Sequence, residues 1–512
     1  MKKYIIILLT VFIGLSFSCT KNYLDINNDP NSPSDASVSP DLLVPAALTN
    51  IAAITTQTNG RYPMLQRWLG VWCPSTNFAA SDESKYQAAA NTSDAAWANA
   101  YDIINDLTIA ENKASAAGQT FYQGIAIISK ALLYHQLVDQ FNNIPYSQAV
   151  NPNILQPKYD NADTIYNDLF KKITAGINLI KAADATKNPN ISTADVMFAG
   201  NKTSWARFGN TLKLRLLIHL SQMPYINTLV AQEMAIINAE GSGFIGAGQT
   251  ANVNPGYISG SKPNPFWVTY NYNNACIYPN NFNRANNFSL NLMKNTNDSR
   301  FKYFYLPVRG TAGVANTDWK GIDYAPVNSD PQFNETKTSD VGGALTCAGG
   351  TSGLGKSATM PAWILTGFES LFLQSEAVAR GWMPGNAQAL YTAAVTESYV
   401  WLGVPSATTA AVTYLAQADP RITFGASLNA QLVSIAWQKY IAFNGNNALE
   451  IWNDYRRLNG IVTIPLSLDP GRGSNAIPVR LNYPSTEQSF NQANLAAQGA
   501  INVFSSTIFW DR

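Results

Sequence analysis

The chain has 512 residues, of which 13% are charged and 11% aromatic, and its formal net charge is +1. Charge runs at about half the ~25% usual in soluble proteins, so Asn, Gln, Ser and Thr must solvate much of the surface. No basic run is present to hold nucleic acid or an anionic membrane, and twelve Trp suit neutral, hydroxyl-rich ligands better than charged ones.

At the N-terminus, Lys2 and Lys3 precede an apolar run from Tyr4 to Phe17. This is the pattern of a signal peptide, and it is shorter than the ~20 residues a spanning helix needs. Cys19 follows in "LSFSC", with Ser16 where a lipobox usually has Leu and Leu15 one position early. Two readings fit: an ordinary secretory signal, or a lipoprotein signal over residues 1–18 with Cys19 acylated as the new N-terminus. We take the second. Either way the protein leaves the cytoplasm.

Residues 19–41 are dense in Asn, Asp, Ser and Pro, which is tether and turn chemistry. Asp25, Asn27 and Asp29 have the odd-position spacing of a calcium loop, but Pro30 replaces the turn glycine and Ala36 the closing glutamate. A chain of Asx turns is the better reading. Residues 42–512 are expected to form a single domain.

From about Ala95 to Glu240 the periodicity is helical. Ile125, Ile128 and Leu132 mark one face, and Ile165, Leu169, Ile173, Ile177 and Ile180 the next. His135 lies inside one helix, and His219 lies beside the stripe Trp205, Phe208, Leu212, Leu216, Leu220, Met223, so both histidines read as structural. Helical periodicity returns near Ala362 and runs through Leu458, with Gly381 and Gly460 as stops. Successive helices with short connections predict a mostly α fold of stacked helix pairs.

Between them, residues 241–360 are rich in Gly, Pro and Asn, yet carry Trp267, Tyr270, Tyr272, Tyr278, Phe282 and Trp319. An irregular, aromatic-loaded insertion on a helical scaffold is a good place for a binding surface. "GTSGLGKS", residues 350–357, matches the P-loop pattern. No hydrophobic strand precedes it, Pro361 lies too close for a helix opening at Lys356, and no Walker B partner is visible. We read it as a glycine loop, with Pro361 near the start of the next helix.

Four cysteines are present. With Cys19 acylated, Cys73, Cys276 and Cys347 remain, which allows one bridge or buried free thiols equally. No C-x-x-C or His-rich cluster offers a zinc site. No metal and no cofactor are expected.

The stretches "LDINNDPNSP", "SDESKY", "NNIPYSQAV", "LQPKYDNADTIYNDLF", "SWARFGNTLKLRLLIHLS", "WILTGFESLFLQSEAVARGW", "IAWQKYIAFNGNNALEIWNDYRRLNG" and "NYPSTEQSFN" resemble, in this order, SusD/RagB-type nutrient-binding outer-membrane lipoproteins of the SusD-like subgroup. The resemblance implies tetratricopeptide-like helix pairs forming a scaffold with an irregular, loop-rich ligand-binding half. It further implies a surface lipoprotein that binds nutrient, is not an enzyme, and serves a SusC-type TonB-dependent transporter. Glu376, Arg380, Glu450, Asp454, Arg456, Arg457, Trp363, Trp437 and Trp452 read as scaffold.

The leading expectation is therefore a binding protein for an oligosaccharide, with a peptide as the second ligand class. Its rivals are an exported glycoside hydrolase and a purely structural repeat protein. Hydrolysis needs two carboxyl groups across a cleft, and Asp82 and Glu83 are the only adjacent acidic pair near an aromatic loop. Sugars need flat rings flanked by amides and hydroxyls. Trp72, Asn77, Phe78, Asp82 and Tyr86 offer that mixture in one segment, and Trp267, Tyr270, Tyr272 and Tyr278 in another. The competing reading is that these rings fill a satellite core beneath the loops.

Overall fold

The computed structural model describes residues 38–56, 61–79, 81–87, 90–277, 282–308, 318–325 and 331–511. Cys19, the signal, residues 19–37 of the tether with the Asp25–Asp29 loop, and Tyr278 lie outside them. The last two tether residues, Pro40 and Asp41, instead open a helix. Labelled in chain order, the first half contains α1 (Pro40–Thr56), α2 (Arg61–Trp68), β1 (Trp72–Pro74), α3 (Asp94–Ala116), α4 (Thr120–Phe141), β2 (Ile144–Pro145), β3 (Tyr159–Asp160), α5 (Ala162–Lys181), α6 (Lys202–His219) and α7 (Ile226–Glu240). The insertion carries β4 (Ala251–Val253), α8 (Pro265–Tyr270), β5 (Asn283–Ala285) and α9 (Asn287–Asn295). β6 (Ala362–Leu365), α10 (Gly367–Ala379), α11 (Ala387–Leu402), α12 (Ala407–Leu415), α13 (Leu428–Ala442) and α14 (Ala448–Arg457) follow. No helix among the described residues is long and apolar enough to cross a membrane.

The helix pairs form where the periodicity places them. α5 begins at Asn161, whose side chain accepts from the amides of Asp163 and Thr164, satisfying donors the first turn leaves free. Its stripe Ile165, Leu169, Ile173, Ile177 and Ile180 is buried against α4 and α6. α4 is buried nearly all round, as a central helix must be. α4 and α5 approach closely because two glycines meet: a Cβ on Gly124 would lie 2.5 Å from the Gly176 carbonyl. The α3–α7 group joins the α10–α14 group where α6 packs on α10, and there Arg215 pairs with Glu369 in the dry interior.

Two elements differ from expectation. α1, unannounced by the polar tether before it, buries Val44, Leu48 and Ile51 against α3, α4 and β6. The residues after Pro361 form a strand before the helix. Ala362–Leu365 pairs antiparallel with Ala251–Val253, and α10 starts only at Thr366, whose hydroxyl caps the amide of Glu369. All four strand residues are buried, and a short run buried on both faces carries no period to separate it from helix.

The scaffold reading of the signature residues agrees with their contacts. Glu376 takes Arg380 at 2.8 Å and Arg457 at 2.6 Å, tying α10 to α14, while Asp454 holds Lys439 at 2.6 Å. The chain then returns through two short helices, Ser485–Phe490 and Gln492–Ala496, to bury Trp510 in the core. Of the two thiol arrangements left open by the sequence, one bridge is present, Cys276–Cys347. Cys73 is free and buried, and burial pushes its thiol pKa well up.

Candidate ligand-binding face

β1 and β5 pair antiparallel, with Trp72 opposite Ala285 and Pro74 opposite Asn283. This pairing lays the 75–79 turn over two distant segments: the Ser75 amide donates to the Phe282 carbonyl at 2.8 Å, and that of Thr76 to Phe333 at 3.3 Å. Phe78 emerges from the turn 39% exposed, its ring 4.7 Å from Phe282 in an edge-to-face contact. The Asn77 amide donates to Glu335. Lys320 lies over the Phe333 ring at 4.6 Å.

Residues 81–87 form a compact turn beside it. The Asp82 carbonyl accepts from the amides of Lys85 at 3.1 Å and Gln87 at 2.9 Å. Its exposed carboxylate meets the Lys85 ammonium at 3.2 Å. Glu83 instead turns inward and takes Arg67 through Nε at 2.6 Å and Nη2 at 2.5 Å. Burial opposes the Arg67 charge, but Glu83 more than offsets it and holds the guanidinium pKa above its usual value. Asp82 and Glu83 thus serve different partners and do not face one another across a cleft.

The remaining predicted rings lie underneath. Trp72 is 0% exposed, Tyr86 1%, Trp267 and Tyr270 2%, and Tyr272 7%, so none offers a face to a ligand here and the satellite-core reading describes them. The two segments meet inside the protein, where the Trp72 and Tyr270 ring centres are 5.0 Å apart. Tyr86 sits in the left-handed region at φ 59, unusual for a bulky residue; its hydroxyl accepts the Ser467 amide at 2.8 Å. The Trp267 ring lies tilted at 39° against Tyr272, 5.4 Å between centres, and the Tyr272 hydroxyl donates to the Leu345 carbonyl at 2.6 Å. Among the described residues, Asn77, Phe78 and Asp82 are the predicted site residues that reach the surface. Phe282, Phe333 and Glu335 complete the face and were not singled out as site residues. The aromatic load of the insertion was their only signal, because their meeting with Phe78 depends on the long-range β1–β5 pairing.

Elsewhere the structure gives the other motifs their work. Lys356 of the P-loop-like segment donates to the Trp401 carbonyl, and a strand rather than a helix follows, so no phosphate cradle forms. His135, Asp139, His219 and Glu450 bring one ligand atom each within 4.8 Å of one another, all buried. Their hydrogen bonds are already satisfied. Asp139 Oδ2 takes His135 at 3.0 Å, His219 at 3.3 Å and Asn453 at 3.1 Å, while Oδ1 takes Tyr166 and the Trp510 indole. The second ring nitrogen of His219 meets Glu450 at 3.0 Å. Burial works against charge on this imidazole, yet Glu450 and Asp139 prevail and raise its pKa to about 9. It acts as a buried cation between two carboxylates.

Architecture and surface together define a helical scaffold protein carrying a loop-built face of rings, amides and carboxylates. Residues 30–484 match the family model SusD-like_2, described as "Starch-binding associating with outer membrane". The chain belongs to this SusD-like family. Solved structures of similar fold include a chitin-binding SusD homolog from Flavobacterium johnsoniae, 20% identical with a TM-score of 0.72, covering 92% of this chain and 98% of that one. A SusD homolog from Bacteroides uniformis is 22% identical, with a TM-score of 0.70 and coverage of 92% and 99%. A SusD/RagB family protein from Bacteroides thetaiotaomicron is 20% identical, with a TM-score of 0.70 and coverage of 93% and 99%. At these identities the likeness is one of fold. No curated protein matches the chain.

Proposed function

We propose that this protein is a lipid-anchored cell-surface binding protein that captures an oligosaccharide and delivers it to a SusC-type TonB-dependent transporter in the outer membrane. The observation that carries the reading is the edge-to-face pair of exposed Phe78 and half-buried Phe282, on a chain whose family is described as starch-binding. On the same turn as Phe78, Asn77 is bonded to Glu335, and exposed Asp82 lies in the turn that follows. A ring edge ringed by amides and carboxylates meets both the C–H face and the hydroxyls of a sugar. In this reading Asn77, Phe78 and Asp82 touch ligand, and Trp72, Tyr86, Trp267, Tyr270 and Tyr272 hold the loops in place from below. Tyr278, which lies just before Phe282 in the sequence, stays a candidate ligand contact.

The split between Asp82 and Glu83 favours binding over hydrolysis, since paired carboxylates are what glycosidic cleavage requires. The test is a binding screen against soluble starch, chitin and hemicellulose oligosaccharides, with a peptide library as the comparison. Saturable binding of a saccharide, weakened by Phe78→Ala, supports the proposal; binding of peptides alone refutes it.

A further inference from the structure

A second cleft lies between the β4–β6 pair and the C-terminal end of α11, and it shares no residue with the Phe78 face. It encloses about 280 Å³, just under the ~300–1,000 Å³ of pockets that take drug-sized ligands. The residues that matter on its walls are Thr250, Asn252, Lys356, Trp363, Glu397 and Trp401.

Two opposite charges open onto this space without meeting. Glu397 is only 7% exposed. One of its oxygens accepts the Gly248 amide at 2.8 Å, and among the described residues the carboxylate has no ion pair and no second hydrogen bond. A carboxylate so deeply placed without a cation is costly unless something else donates to it. Lys356 is half-buried, gives one hydrogen bond to the Trp401 carbonyl, and has no carboxylate partner among the described residues. Burial acts on both, raising the Glu397 pKa and lowering that of Lys356, so each gains from a neutral hydrogen-bonding partner.

The ring beside them is fixed in orientation. Trp401 is wedged edge-on between Trp363, 5.2 Å away at 88°, and Phe368, 5.5 Å away at 74°. It remains partly open to the cleft. The Thr250 hydroxyl oxygen accepts the Gly367 amide at 3.0 Å, which leaves its proton to donate, and the half-buried Asn252 adds an amide. An acceptor, an ammonium donor, an amide, a hydroxyl and a pinned indole around a volume of this size match the hydroxyl-studded rim and apolar C–H face of one sugar ring.

We infer that this cleft is a second saccharide subsite, taking a single pyranose ring whose hydroxyls bridge Glu397 and Lys356 while its edge lies on Trp401. The inference rests on the saccharide-binding reading but on a different part of the molecule. It is tested by titrating the full chain and three variants, Glu397→Gln, Asn252→Ala and Phe78→Ala, with maltohexaose and chitohexaose, and recording each variant's melting curve. Glu397→Gln keeps the acceptor for the Gly248 amide while removing the charge. The expected result is about tenfold weaker binding in both cleft variants with the melting temperature held. Wild-type affinity in both cleft variants overturns the subsite and leaves the binding face standing if Phe78→Ala is impaired. Absence of binding to the wild-type chain overturns the saccharide reading itself.

Discussion

Phe78 and Trp72 belong to one short segment and face opposite ways. Trp72, at 0% exposure against Tyr62 and Tyr270, is a core ring. Trp72→Ala or Tyr270→Ala is expected to cost about 3–5 kcal/mol, read as a lower denaturation midpoint; Phe78→Ala is expected to leave that midpoint nearly unchanged. Equal destabilisation by all three would remove the distinction. The sequence could not order these rings, because an irregular segment has no period to separate inside from outside. What was legible was that part of the segment is exposed: Asn77, Phe78 and Asp82 all reach the surface. Their partners Phe282 and Phe333 come from more than two hundred positions along the chain, and only strand pairing brings them in.

His219 supplies a second prediction at this scale. Its pKa of about 9 lies above the ~6.5 of an unfolded histidine. Its contribution is therefore complete below pH ~6.5 and is lost as pH rises through about 9. Asp139 has its pKa lowered, burial notwithstanding, by His135 and His219, and Glu450 by His219 and Arg215. Their contributions run the other way, present above the ordinary carboxylate range and lost on acidification. Thermal melts should show highest stability between about pH 5 and 6.5, with an alkaline decline that His219→Gln removes. That variant should also be less stable by about 3–5 kcal/mol, since the buried cation shared by Asp139 and Glu450 is lost. An alkaline slope unchanged by the substitution would show that another group carries it.

At the scale of elements, the scaffold depends on two contacts of different kinds. Gly124 and Gly176 set the α4–α5 separation by having no side chains. Gly124→Ala should force the helices apart and cost about 1–3 kcal/mol, visible as a lower melting temperature with helical content retained. Glu376 links α10 to α14 through Arg457 at 2.6 and 2.9 Å, and burial notwithstanding, Arg457 and Arg380 hold its pKa well below the carboxylate norm. Glu376→Ala leaves buried Arg457 with Asp454 and the Ser221 hydroxyl and should cost about 3–5 kcal/mol; a loss below ~1 kcal/mol would mean the pair is structurally idle. These elements were readable because helical spacing in α5 or α10 repeats over several turns. β6 was not, since four buried residues carry no such repeat, and neither was α1, whose first residues continue a polar tether.

Across the whole molecule, a helical scaffold presents an irregular face, and the proposed anchor lies at the far N-terminus. If Cys19 is the lipid attachment point, Cys19→Ala should move the protein from the membrane to the soluble fraction; an unchanged distribution would exclude acylation as the anchor. A single acyl chain binds membranes only marginally, so a triacylated cysteine or a protein contact must hold the molecule in place. Gentle detergent extraction should therefore bring down a large outer-membrane β-barrel with the tagged protein, and recovery of the protein alone in several mild detergents would break the transporter pairing. The most direct test of the account is calorimetric titration of wild-type protein and Phe78→Ala with an oligosaccharide panel, followed by assay of the same samples for new reducing ends. The account predicts that at least one oligosaccharide binds wild type, that Phe78→Ala weakens it about tenfold at unchanged melting temperature, and that the sugar is recovered intact. Shortened sugar, protected when Asp82→Asn and Glu83→Gln are combined, would contradict it.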